Sequence, residues 1–111
     1  MTNDATVPPA ESAAEVRARI NAETAVISWS ELQRFFAAGR LLWVATEEDL
    51  VDVAYEIAAD NADQVGGWLE AGRIRRVSDA QAQSFHDQEA EFWAVVVRPW
   101  VLIQSRRRDS V

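Results

Sequence analysis

The stretch Phe92-Trp93-Ala94-Val95-Val96-Val97-Arg98-Pro99-Trp100-Val101-Leu102-Ile103-Gln104 most limits what this chain can fold into. It is apolar, β-branched and rich in tryptophan, in a chain that otherwise reads mostly as helix, so it marks the strand around which a small α+β core is built. Pro99 has no amide to give to a ladder and does not fit the middle of an ordinary central strand. One long strand, bent or bulged at Arg98-Pro99, is the favoured reading, and two strands joined by a tight turn are the alternative. Period-two alternation through the segment puts Val95, Val97, Val101 and Ile103 on one side and Ala94, Val96, Trp100 and Leu102 on the other. Both sides therefore need cover.

The cover comes from helical segments. A first helix is predicted from about Ala10 to Glu23, with Ala13, Val16 and Ile20 on one face. Ser28-Trp29-Ser30-Glu31 fits a capping box that opens a second helix, whose apolar face is Leu32, Phe35 and Phe36 and which Gly39 ends. Leu41-Leu42-Trp43-Val44-Ala45 is too short for a helix and apolar on both faces, so it reads as a strand in or near the sheet centre. Thr46-Glu47-Glu48-Asp49 opens a third helix with Leu50, Val53, Ala54 and Ile57 inward. A fourth, about Asp63 to Ala71, stops at Gly72. Ile74 to Val77 is a short strand, and Ser78-Asp79-Ala80-Gln81 is a second capping box, starting a helix that fades near Asp87.

The 111 residues fit one domain, large enough to bury roughly 65% of the surface its unfolded form exposes. The chain has no cysteine, which excludes disulfide frameworks, thiol nucleophiles and thiolate zinc sites. Met1 to Pro9 shows no signal-peptide pattern, and no apolar run approaches the roughly 18 to 20 residues that span a bilayer. A cytoplasmic protein is expected. Charge is uneven: residues 1–72 hold 13 acids against 4 Arg, residues 73–111 hold 5 against 7. The formal charge of -7 disfavours nonspecific nucleic-acid binding, although a local basic face is compatible with it.

Few residues could carry chemistry. His86, the one histidine, sits beside Asp87, Glu89 and Glu91 and is expected to be exposed or at a helix end rather than a base or metal ligand. No G-x-S-x-G elbow is present. Asp49, Asp52, Glu56, Asp60 and Asp63 lack the loop pattern of a hard-cation site and read as a solvated helix face. Gly66-Gly67 lacks a phosphate-loop context and suggests a close helix crossing or a local irregularity. Residues 65–77 loosely resemble a helix-turn-helix module with a wing, in which Arg73, Arg75, Arg76 and Arg106 to Arg108 would meet phosphates, but a plain helix-to-strand connection is the stronger reading. No catalytic residue, cofactor or metal ligand is assigned.

Trp43 and Trp68 lie in apolar settings and are expected in the core. Trp29, Trp93 and Trp100 sit near cap, junction or proline positions, where a ring is half exposed. With Arg98 and Pro99 they form a candidate partner surface, because aromatic residues and Arg are enriched at interfaces.

Ile20-Asn21-Ala22-Glu23-Thr24-Ala25, Trp29-Ser30-Glu31-Leu32, Trp68-Leu69-Glu70-Ala71-Gly72 and Trp93-Ala94-Val95-Val96-Val97-Arg98-Pro99-Trp100-Val101-Leu102 together resemble the bacterial family called domain of unknown function 2288. The resemblance covers roughly Val16 to Gln104. It implies a bacterial, stand-alone, cytoplasmic protein and brings no catalytic or binding residue with it.

The expected product is a single-domain α+β protein over 11–105, four or five helices on a three- or four-stranded sheet, between a disordered leader at 1–10 and an Arg-rich polar tail at 106–111. The expected function is a non-catalytic protein-interaction module whose partner is an unknown protein or a second copy, a homodimer. It would use a sheet edge or the Arg98-Pro99-Trp100 region. The alternatives are nucleic-acid binding through the Arg-rich C-terminal third, then a small-ligand or enzymatic role built on the acids and His86.

Overall fold

The computed structural model describes residues 12–106, which form α1 (Ala13–Glu23), β1 (Ala25–Ser28), α2 (Trp29–Ala37), β2 (Leu41–Val44), α3 (Leu50–Ala58), α4 (Ala62–Glu70), β3 (Ile74–Arg76), α5 (Asp79–Gln88), β4 (Glu91–Val97) and β5 (Trp100–Ser105). The leader at 1–10 and the tail beyond Arg106 lie outside the described residues. The strands form one mixed sheet in the order β1-β4-β5-β2-β3, in which only β2 and β5 run parallel. The sheet has five strands, not three or four. The strand missed is β1, four residues wedged between two helices.

The apolar C-terminal stretch is the centre of the sheet, but as two strands. Val97 pairs with Trp100 across a two-residue turn at Arg98-Pro99, whose peptide bond is cis. The one-strand reading is thus corrected, for a physical reason: β5 is bonded on both flanks, so a proline within it would break a ladder, whereas in the turn no ladder bond is needed. The turn also reverses the face assignment, because residues directly opposite in an antiparallel pair share a face. Val95 and Val97 lie with Trp100 and Leu102, and Ala94 and Val96 lie with Val101 and Ile103.

Helices cover both faces, forming three layers. On one face Ile20 of α1 and Leu50, Val53 and Ala54 of α3 pack on Leu42, Val44, Ile74, Val95 and Leu102, with Trp68 of α4 at the margin. On the other, Trp29 and Leu32 of α2 and Ala82 of α5 pack on Leu41, Phe92, Ala94, Val101 and Ile103. The core thus draws on both faces of β5, where Val101, Leu102 and Ile103 are all buried.

Local chemistry sets the helix limits. Ser12 and Glu15 form a capping box, so α1 starts at Ala13 rather than Ala10. Asp49 caps α3 by accepting from the Val51 and Asp52 amides, and Ser78 with Gln81 caps α5 as expected. Ser28 precedes α2 without capping it; its hydroxyl meets that of Ser30 instead. Gly39 and Gly72 end α2 and α4 at φ 74°, a conformation that disfavours other residues. Gly66 and Gly67 mark no close crossing among the described residues, since a Cβ at either would meet none of their atoms within 4 Å.

Candidate functional site

Among the described residues the sheet has two open edges, and they differ in chemistry. At β1 the Trp29 amide donates to the Ala90 carbonyl at 2.8 Å, in the same register that pairs Ala25 with Ala94 and Ile27 with Phe92. Bonded pairs alternate in an antiparallel ladder, so Val26 and Ser28 turn their backbone N–H and C=O groups away from β4. This edge is Ala-Val-Ile-Ser, without charge or proline. At the opposite edge β3 is only three residues long and carries Arg75 and Arg76.

Exposed apolar side chains concentrate beside β1. Val26 (39% exposed) pairs with Trp93 (40%) on one face, and Val96 (55%) stands on the other. Each face also has a groove there. One, of about 540 Å³, is lined by Asn21, Thr24, Leu50, Val51, Trp93 and Gln104, among others. The other, of about 240 Å³, runs between α2 and the β1–β4 pair and includes Ala25, Ile27, Phe35, Ala94 and Val96.

The five residues expected at a partner surface are not brought together. Trp29 is 3% exposed, buried against Phe36, Phe85 and Phe92 at ring-centroid distances of 5.8, 5.3 and 6.4 Å. As the first residue of α2 it turns straight from the edge strand into the core, so it leaves the candidate surface. Trp100 is half-buried against the first core cluster, and Arg98 and Pro99 are exposed in the turn. Trp93 lies on β4, four residues before Val97 at the turn, and pairs with Val26 of β1. Of the two expected core tryptophans, Trp43 and Trp68 are each partly buried at the rim of a cluster.

The polar candidates have local partners. Asp49 caps α3, Asp52 binds Arg17 at 2.6 Å, and Glu56 accepts from Asn61 at 2.9 Å. The acidic side of α3 is in this respect more than a solvated face: Arg17, stacked 4.4 Å over the Tyr55 ring, ties α1 to it. His86 is exposed, with Asp87 at 3.5 Å. Among the described residues, no group of three or more His, Asp or Glu side chains is placed to hold a metal ion. No helix of the described residues is long and apolar enough to cross a membrane. Residues 65–77 form a helix-to-strand connection through Gly72, and β3 is a member of the main sheet.

Sequence reasoning missed two features: the β1 edge, and Gln104, whose side-chain amide donates to the carbonyls of Ala45 and Glu48 at 2.8 and 2.7 Å. The β-branched pair Val26-Ile27 was the one local signal for the first.

Comparison with known proteins agrees with this architecture. The NMR solution structure of PA1075 from Pseudomonas aeruginosa is 45% identical and superposes with a TM-score of 0.76 over 86% of this chain and 89% of that one. No curated protein matches the sequence. The sequence model described as "Protein of unknown function (DUF2288)" matches residues 15–105, the whole sheet and every helix but the first two residues of α1, and the chain belongs to that family.

Proposed function

We propose that this protein is a non-catalytic protein-interaction module that takes an extended strand on the open edge of β1, a second copy of the chain being the first partner to consider. The observation that carries the reading is the contrast between the two sheet edges. Proteins protect edge strands with charge, shortness or proline, and an unprotected edge pairs with other chains. Here β3 is short and its arginines admit only a strand of complementary charge, whereas β1 offers the outward N–H and C=O of Val26 and the N–H of Ser28 between exposed Val26, Trp93 and Val96. Backbone pairing would supply affinity, and the apolar side chains on each face would supply selectivity. In an antiparallel pair centred on Ile27, the Ser28 amide of each copy would donate to the Val26 carbonyl of the other.

The proposal sets this module in a bacterial cytoplasm, and the source of the solved relative supports the bacterial half of it. The test is sedimentation equilibrium of the full chain over a wide concentration range, beside Val26→Lys. Self-association that Val26→Lys abolishes, at unchanged thermal stability, is the expected result. A wild-type chain that stays monomeric up to millimolar concentration, with fast-exchanging Val26 and Ser28 amides, would overturn the second-copy assignment.

A further inference from the structure

The β3 edge has a chemistry of its own. The molecule carries a formal charge of -7, and its arginines in several places find carboxylates: Arg17 meets Asp52, Arg73 meets Glu48 at 3.4 Å, and Arg106 meets Glu91 at 3.0 Å. Arg75 and Arg76 meet none among the described residues. They do not trail into solvent either, because Arg75 lies 4.6 Å over the Trp43 ring and Arg76 5.3 Å over the Trp100 ring. Arg76 Nη1 also donates to the Gly39 carbonyl at 3.3 Å. Both guanidinium groups are held by aromatic faces, which leaves N–H groups at their rims open to an acceptor.

Their placement relative to the backbone gives the partner its form. Arg75 pairs with Trp43 and Arg76 with Leu42, adjacent positions, so the two side chains stand on opposite faces of the sheet. The Ala45 amide donates to the Arg73 carbonyl at 2.8 Å. By alternation Arg75 bonds toward β2, and Ile74 and Arg76 direct their backbone groups outward. An extended segment added there would have one row of side chains beside Arg75 and the other beside Arg76. Exposed Arg40 and Arg98, each also without a carboxylate among the described residues, extend the cationic end to the start of β2 and the hairpin turn.

We infer that the β3 edge is a second docking surface, independent of the β1 edge, that takes an extended acidic peptide segment with carboxylates on both of its faces. Arginine forks match carboxylates, and the same charges turn away basic strands, so the edge selects as well as binds. A nucleic acid fits less well. A duplex reaches well beyond two strand ends and would set its phosphates against a body of net negative charge, whereas a short strand engages the edge alone.

The test is an NMR titration of the full chain at low salt with an octaglutamate peptide, beside a thymidine octanucleotide. The peptide should shift the Ile74 and Arg76 amides and the Trp43 and Trp100 indole signals, and slow exchange at those two amides. Arg75→Glu with Arg76→Glu should weaken binding at least about tenfold through loss of two charge-assisted contacts. If that pair of changes unfolds the chain, Arg75→Gln alone should weaken it about threefold on the same grounds. Binding of the octanucleotide but not the peptide, shifts confined to another surface, or equal affinity in a folded variant would overturn the inference.

Discussion

The side-chain amide of Gln104 donates to the Ala45 carbonyl at 2.8 Å, fastening the end of β5 to the residue that follows β2. The same amide reaches the Glu48 carbonyl at 2.7 Å, so one side chain holds both ends of the loop leading into α3. Two half-buried bonds of this kind contribute about 1–3 kcal/mol together. Gln104→Leu, close in volume, should lower the stability measured by urea unfolding by that amount and speed amide exchange at the start of α3. An unchanged midpoint would mean that water replaces the clamp at no cost.

Trp29 should behave as a core residue and not as part of a contact surface. Truncation to Ala removes the ring that Phe36, Phe85 and Phe92 surround. A loss of about 3–5 kcal/mol in chemical denaturation is expected for Trp29→Ala, and roughly 1–2 kcal/mol for Trp29→Phe, which keeps an aromatic in place. Any self-association measured for Trp29→Phe should match that of the parent chain. A change in association at unaltered stability would contradict the burial seen here.

Three serine or aspartate residues at helix starts should separate cleanly. Asp49 accepts two amides and Ser78 takes part in a full capping box, whereas the Ser28 hydroxyl bonds no amide of its helix. Asp49→Ala and Ser78→Ala should each cost about 1 kcal/mol, and Ser28→Ala less than about 0.5 kcal/mol. Thermal melts of the three variants side by side decide it. Equal losses at Ser28 and Ser78 would mean that the capping box read at residues 28–31 forms in solution.

How far the fold was legible follows from which signals are local. Leu41 to Val44, the stops at Gly39 and Gly72 and the cap at Ser78 depend on neighbours in sequence, and the structure has each in place. β1 does not: its four residues become a strand only by pairing with β4, far along the chain, and between two helices they resemble a linker. The Arg98-Pro99 turn was open in sequence because either reading satisfies the proline. What decides it is that β5 is bonded on both flanks, a fact of sheet order. The candidate surface fared worse for the same reason. Trp29, Trp93 and Trp100 share a composition signal, but α2 sends Trp29 into one core, β4 leaves Trp93 beside the open edge and β5 sets Trp100 against the other core. The contrast between an uncharged β1 edge and an arginine-bearing β3 edge exists only once the strand order is known.

Glycine substitutions test the backbone account with opposite signs. Gly72 has φ 74° with open space around its Cα, so Gly72→Ala meets no clash yet must hold alanine in the left-handed region. That conformation costs an L-residue about 1–2 kcal/mol, and the variant should lose about that much stability. Gly66 and Gly67 lie inside α4, and a methyl group added to either would have nothing within 4 Å. Alanine there removes unfolded-state freedom without strain, so Gly66→Ala and Gly67→Ala should each stabilise by up to about 1 kcal/mol. Urea unfolding of the three single variants reads the signs directly. Destabilisation at Gly66 or Gly67 would show that α4 is approached there by something outside the described fold, a partner or a second copy, and would move attention from the sheet edges to that helix.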